Sequence, residues 1–173
     1  IVIYLNPVIT LTIESQNIFF KMSGNTFKWI MALWPPFWFT GIRYDFVADD
    51  FKNVRVSMAL RFYNKNIHGL QYGGNLFSMT DACHGIMLYH NLGPAYNVLD
   101  KSAHIDFVKP GKTKVILECA ISDDDIEDIK QKTANGDKYF KEFTVHVRDL
   151  EGEVVATVVK TVYVRKKRPK PSF

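Results

Sequence analysis

Only one stretch of this chain reads as a long helix that is apolar on nearly every side. From about Asn75 to Asn91, the residues Leu76, Met79, Ala82, Cys83, Ile86, Met87 and Leu88 spread around the helical wheel. Such a helix is buried, whereas a helix with a single apolar stripe lies on a surface. Gly93-Pro94 marks its end. Whatever encloses it must come from the flanking segments, and most of those alternate with period two.

Before the helix, Ile42, Tyr44 and Phe46 alternate with polar residues, Asp49-Asp50 turns the chain, and Val54, Val56, Met58 and Leu60 alternate again. Residues 61–74 hold three glycines, keep no period and read as a loop. After the helix, strands are predicted over Tyr96 to Val108, closed by Lys109-Pro110-Gly111, and over Thr113 to Ile121. An acidic helix from Asp123 to Ala134, capped by Ser122 or Asp123, leads to the turn Asn135-Gly136. A hairpin follows, with arms Tyr139 to Asp149 and Glu153 to Arg165 joined at Glu151-Gly152. One short helix, residues 25–34, precedes the first strand, with Asn25 or Thr26 as cap and Pro35-Pro36 as stop. The class is therefore α+β: a curved antiparallel sheet around one long central helix.

A chain of 173 residues suits one domain with a full core. We place that domain at residues 25–167. Residues 1–24 are expected to be a poorly structured or spurious extension and 168–173 a basic disordered tail. Arg165, Lys166, Lys167, Arg168 and Lys170 supply five of the positive charges behind the net +4, so the rest of the chain sits one negative charge from neutrality. A near-neutral body argues against nucleic acid as a partner. No apolar run reaches the roughly 18 residues of a membrane-spanning helix, so no integral membrane segment is expected. The two cysteines fall within regular elements, which fits free thiols and a cytoplasmic, reducing setting. No ligand spacing suggests a metal, and no cofactor is expected.

The chemistry concentrates at the entry to the central helix. Gly73-Gly74 sits where the loop enters it, so unpaired backbone N–H groups point out of the helix start. Glycine there lets another atom approach the backbone closely, and the amides suit an oxygen that gains negative charge. Asp81 lies about two turns on, in an otherwise apolar helix, where a carboxylate needs a reason. It either accepts a hydrogen bond from a neighbouring strand or serves as a base or nucleophile.

The run Asn66-x-x-Gly69-x-x-Tyr72-Gly73-Gly74-x-x-x-x-Met79-x-Asp81 resembles the signature of hot-dog fold thioesterases of the phenylacetyl-CoA thioesterase type. Ile105-Asp106-Phe107-Val108-Lys109-Pro110-Gly111 resembles the strand and turn that follow the helix in the same family. The resemblance covers roughly Gly41 to Lys166, most closely a group of thioesterase-like proteins with an acidic helix before the final hairpin. It implies a hot-dog fold, a homodimer or homotetramer with sites at the subunit interface, and hydrolysis of an acyl-CoA thioester to CoA and a carboxylate. By the same resemblance, the N–H of Gly73 polarises the thioester carbonyl, Asp81 activates water or attacks directly, and Asn66 helps place the carbonyl or the water. Tyr72 stands where the family usually has His, so it either holds the glycine turn itself or leaves activity weakened; with Gly74 it completes the expected substrate contact. A non-catalytic acyl-CoA or lipid-binding protein on the same scaffold is the competing reading.

Other residues carry two readings each. His84, three positions after Asp81, is either paired with it at the substrate or a core histidine. Lys101 either reaches substrate across a subunit interface or pairs with Asp100 or another acid. Cys83 has no His base in register and reads as packing. The aromatic cluster Trp29, Trp34, Phe37, Trp38 and Phe39 is either a lid packed on the core, or the wall of an acyl-chain pocket or a membrane contact. The basic tail is solvated, reaches the phosphates of CoA, or, as a distant third reading, contacts nucleic acid or acidic lipid.

Overall fold

The computed structural model of the protein describes residues 22–81 and 83–167. The proposed extension up to Lys21 and the tail from Arg168 lie outside the described residues. Two short helices open the fold: α1 (Gly24–Leu33) and α2 (Pro35–Thr40). Strands β1 (Ile42–Val47) and β2 (Asn53–Met58) follow, then the helical segments α3 (Gly73–Asp81) and α4 (Cys83–Leu92) on either side of residue 82. β3 (Tyr96–Phe107), β4 (Val115–Ala120), α5 (Asp123–Lys132), β5 (Lys138–Asp149) and β6 (Val154–Lys166) complete it.

The six strands form one curved antiparallel sheet in the order β1-β2-β4-β5-β6-β3. Alternation dictates which side chains turn inward. Val54, Val56 and Met58 of β2, Val115, Leu117 and Cys119 of β4, and Val158, Val162 and Val164 of β6 are all buried. Met79, Cys83, Met87 and Leu88 of the central helix meet them. Among the described residues no helix is long and apolar enough to cross a membrane.

Five expectations are corrected in detail. The central helix is not buried all round: Phe77, Asp81, Gly85, Ile86 and Tyr89 leave one face partly open. It also starts at Gly73 rather than Asn75. Phe46 does not follow Tyr44 inward, because a β-bulge between them shifts the register and turns Phe46 to solvent while Val47 is buried. At the chain start the cap is Ser23, whose Oγ accepts from the Thr26 N–H, rather than Asn25 or Thr26. Finally, Pro35-Pro36 stops α1 but also begins α2, since a proline at the first helical position has no N–H to leave unsatisfied.

Two glycine and capping details anchor the ends. The start of α1 presses on the end of β1, where a Cβ on Gly24 would stand 2.2 Å from the Val47 carbonyl oxygen. The acidic helix α5 carries a full capping box: Ser122 Oγ accepts from Asp125 N–H, and Asp125 accepts from the Ser122 N–H.

Candidate active site

The loop before α3 is built by Asn66. Its Oδ1 accepts from the His68 and Leu70 N–H groups at 2.9 and 3.1 Å, and its own N–H donates to the Leu70 carbonyl. The loop is closed further by an isolated bridge between Lys65 and Gln71 and by the Gln71 N–H donating to the Gly111 carbonyl. This delivers the chain to α3 with Gly73 first. The Asn75 and Leu76 N–H groups turn back to the Tyr72 carbonyl, while those of Gly73 and Gly74 have no acceptor among the described residues.

Glycine is needed at both positions for closeness. A Cβ at Gly73 would stand 3.0 Å from Cζ of Phe107, and one at Gly74 would stand 2.6 Å from Cε1 of Tyr72. The Tyr72 ring therefore lies against the glycine turn. Asn66 and Gly73 line one cavity of about 350 Å³ with Leu70, Gln71, Leu76 and Phe107. Gln71 is buried there; its Nε2 donates to the Met58 and Thr113 carbonyls, and its Oε1 has no donor among the described residues.

Asp81 does not share that cavity within the protomer. It lies on the wall of a second, larger one of about 790 Å³. Ile30, Met31, Trp34, Pro36 and Phe37 of α1 and α2 form one side, and Phe77, Ile86 and Tyr89 of the central helix another. The carboxylate is not the buried group the apolar helix suggested: its side chain is 69% exposed. The aromatic cluster of α1 and α2 divides in the same way. Phe37 joins the core and Trp34 the cavity wall, while Trp29, Trp38 and Phe39 face solvent.

Lys160, on β6, escaped the sequence reading. Its side chain is only 3% exposed, and its Nζ lies 2.7 Å from Asp100 Oδ2 and 3.6 Å from Asp81 Oδ1. It also donates to the Thr80 and Asp81 carbonyls, at 3.0 and 2.5 Å. Period-two alternation could have found it, because Lys160 occupies an inward position between Val158 and Val162. Burial raises the Asp100 carboxyl above the usual aspartate value, against the opposing pull of Lys160.

Two residues considered for substrate contact, His84 and Lys101, have the following neighbours within the protomer. His84 is buried and stacked on Phe143 at 4.1 Å between ring centroids; burial, then the Lys160 charge, lowers its pKa to about 4. Three helical residues leave His84 about 60° around the helix from Asp81, and the edge between the open and the buried face falls between them. Lys101 sits at the β-bulge of β3, with its Nζ 3.9 Å over the Phe140 ring, and Asp100 takes Lys160 as partner instead. Cys83 and Cys119 are buried free thiols; the contact with Cys83, then burial, pushes Cys119 well up, which suits packing rather than nucleophilic attack. Among the described residues no group of His, Cys, Asp or Glu side chains gathers in a form that could hold a metal ion.

One central helix under a curved six-stranded antiparallel sheet defines a hot-dog domain, and solved structures bear this out. A Pseudomonas aeruginosa protein described as of unknown function and a probable thioesterase superposes with a TM-score of 0.68 at 22% identity, covering 74% of this chain and 85% of that one. A thioesterase from Haemophilus influenzae gives 0.64 at 10% identity over 88% and 96%. A Chlorobaculum tepidum protein of unknown function gives 0.65 at 13% over 81% and 92%. At these identities the likeness establishes the fold. No curated protein matches the sequence. Residues 24–164 match the family described as domain of unknown function (DUF4442), and the chain belongs to that family.

Proposed function

We propose that this protein is an acyl-CoA thioesterase, with Asp81 as its base and the Gly73 N–H as its oxyanion donor. The observation that carries the reading is the Asp81 carboxylate on the wall of an apolar cavity of about 790 Å³. Hydrocarbon walls with a single carboxylate suit an acyl chain whose reacting end must meet a base. Asp81 takes a proton from water as its oxygen attacks the thioester carbonyl. The oxyanion collects charge at the amide of Gly73, Asn66 Nδ2 helps place the carbonyl, and the C–S bond then breaks to release the thiol.

Two halves that lie on different cavities of one protomer need a second copy to meet. The Gly73 half is next to Phe107 and the Asp81 half next to Lys160 and Asp100, so both are strung along β3. β3 is an edge strand with one side open to pairing. Antiparallel self-pairing centred on His104, with the β-bulge at Lys101 counted in the register, sets Phe107 of one protomer opposite Asp100 of the partner subunit, which joins the two halves twice per homodimer.

The test is a panel of acyl-CoA thioesters with free-thiol detection, run on the wild type and on Asp81→Asn. Wild type releases thiol, and Asp81→Asn loses about 10²-fold or more, with its fold intact because the side chain is exposed. Thioester binding without thiol release from the wild type selects the non-catalytic binder, and full activity in Asp81→Asn places the base elsewhere.

A further inference from the structure

Among the described residues, Lys160 is the only Lys, Arg, Asp or Glu side chain in the buried interior. Taking an ammonium out of water costs several kcal/mol, and the flanking inward positions of β6 hold valine. A structural pair would be complete with Asp100 on the adjoining strand. The ammonium instead reaches past Asp100 to the end of α3, where it binds the Thr80 and Asp81 carbonyls and comes within 3.6 Å of Asp81 Oδ1. Gly85, one turn beyond Asp81, borders this corner, where a Cβ would make ordinary contact with Asp100 Oδ1 at 3.6 Å.

We propose that Lys160 is a positioning residue for Asp81. Anchored by Asp100, its ammonium ties to the central helix at the Thr80 and Asp81 carbonyls and holds the exposed Asp81 carboxylate in one orientation at the cavity wall. An exposed aspartate otherwise exchanges between rotamers, and a misplaced base acts poorly. This inference rests on the reading of Asp81 as the base.

Three variants test it: Lys160→Met, Asp100→Asn and the double substitution. Each is assayed for kcat and KM on a thioester the wild type hydrolyses, for thermal stability, and for the Asp81 χ1 rotamer by NMR couplings. Lys160→Met lowers kcat roughly tenfold to a hundredfold and leaves KM nearly unchanged. It is also less stable, because Asp100 is left without its cation. The double variant removes both members of the pair and regains stability, yet it keeps the low kcat and an averaged Asp81 rotamer. Asp100→Asn alone, which frees the anchor, falls between. Recovery of kcat together with stability in the double variant, or an Asp81 rotamer unchanged by loss of the ammonium, overturns the proposal and leaves a structural ion pair. Should Lys160→Met fail to fold, the double variant carries both readouts. A wild type that hydrolyses no thioester defeats the thioesterase reading, and the rotamer measurement still decides this one.

Discussion

The two ends of α3 meet opposite surroundings. At Gly73 the neighbouring cavity is small and edged by backbone amides, Asn66 and the buried Gln71. At Asp81 the cavity is more than twice as large, and hydrocarbon makes almost all of its wall. The first is assembled by a loop contiguous with the helix in sequence, whereas the second depends on α1 and α2, some forty residues upstream. Under the proposed function, charge stabilisation and chain burial thus fall to different segments. Each end can be altered without touching the other, and experiment can test that independence.

The largest effect is expected at the amide end. Gly73→Pro removes the N–H, while a proline at the first helical position is well tolerated. It also adds a Cβ against Phe107, so Gly73→Ala, which adds the Cβ and keeps the N–H, is the control. We expect Gly73→Pro to lose about 10²–10³-fold in kcat relative to Gly73→Ala, the usual consequence of deleting one oxyanion donor. Equal rates in the two variants would remove the amide from the mechanism.

The next effect sits behind the other end, on the buried face that backs Asp81. His84 has its pKa lowered to about 4 by burial and by the Lys160 charge, against about 6.5 unfolded. Above pH 6.5 neither state is charged at His84 and stability is complete. As pH falls toward 4 the unfolded chain gains a proton that the folded chain refuses, so stability drops by on the order of 3 kcal/mol across that window. His84→Phe, which keeps a ring against Phe143, should flatten this part of the curve in urea titrations at stepped pH. An unchanged slope would mean that other groups carry it.

How much of this could be read in the sequence follows from how local each signal is. The strands, the acidic helix and the hairpin declare themselves through alternation and turn residues, and the glycine turn through a contiguous motif. Asp81 was found as an acid out of place, but its exposure was not legible, because the open face of the helix is set by which elements fail to cover it. The Tyr44–Phe46 bulge is decided by pairing with β2, which alternation within one strand cannot reveal. Lys160 was legible as a cation at an inward position and lost among the basic residues near the chain's end, while its partners lie 60 and 79 residues away. The joining of the two half-sites that we propose calls on a second copy, and one chain's sequence carries that only through resemblance.

The smallest effect separates chain burial from chemistry. Ile86 lines the large cavity one face-turn beyond Asp81 and is only partly buried, so Ile86→Trp adds bulk into open space rather than into the packed core, where overfilling costs about 1–3 kcal/mol. If α1 and α2 enclose the acyl chain, the variant raises KM for long-chain thioesters about tenfold, the range that one or two lost methylene contacts explain. The same variant should hydrolyse an acetyl thioester at the wild-type rate, because a two-carbon acyl group never reaches residue 86 while Asp81 and Gly73 are untouched. A parallel loss on both substrates would show that the large cavity belongs to the reacting centre itself, and the division of labour between the two ends of α3 would then be false.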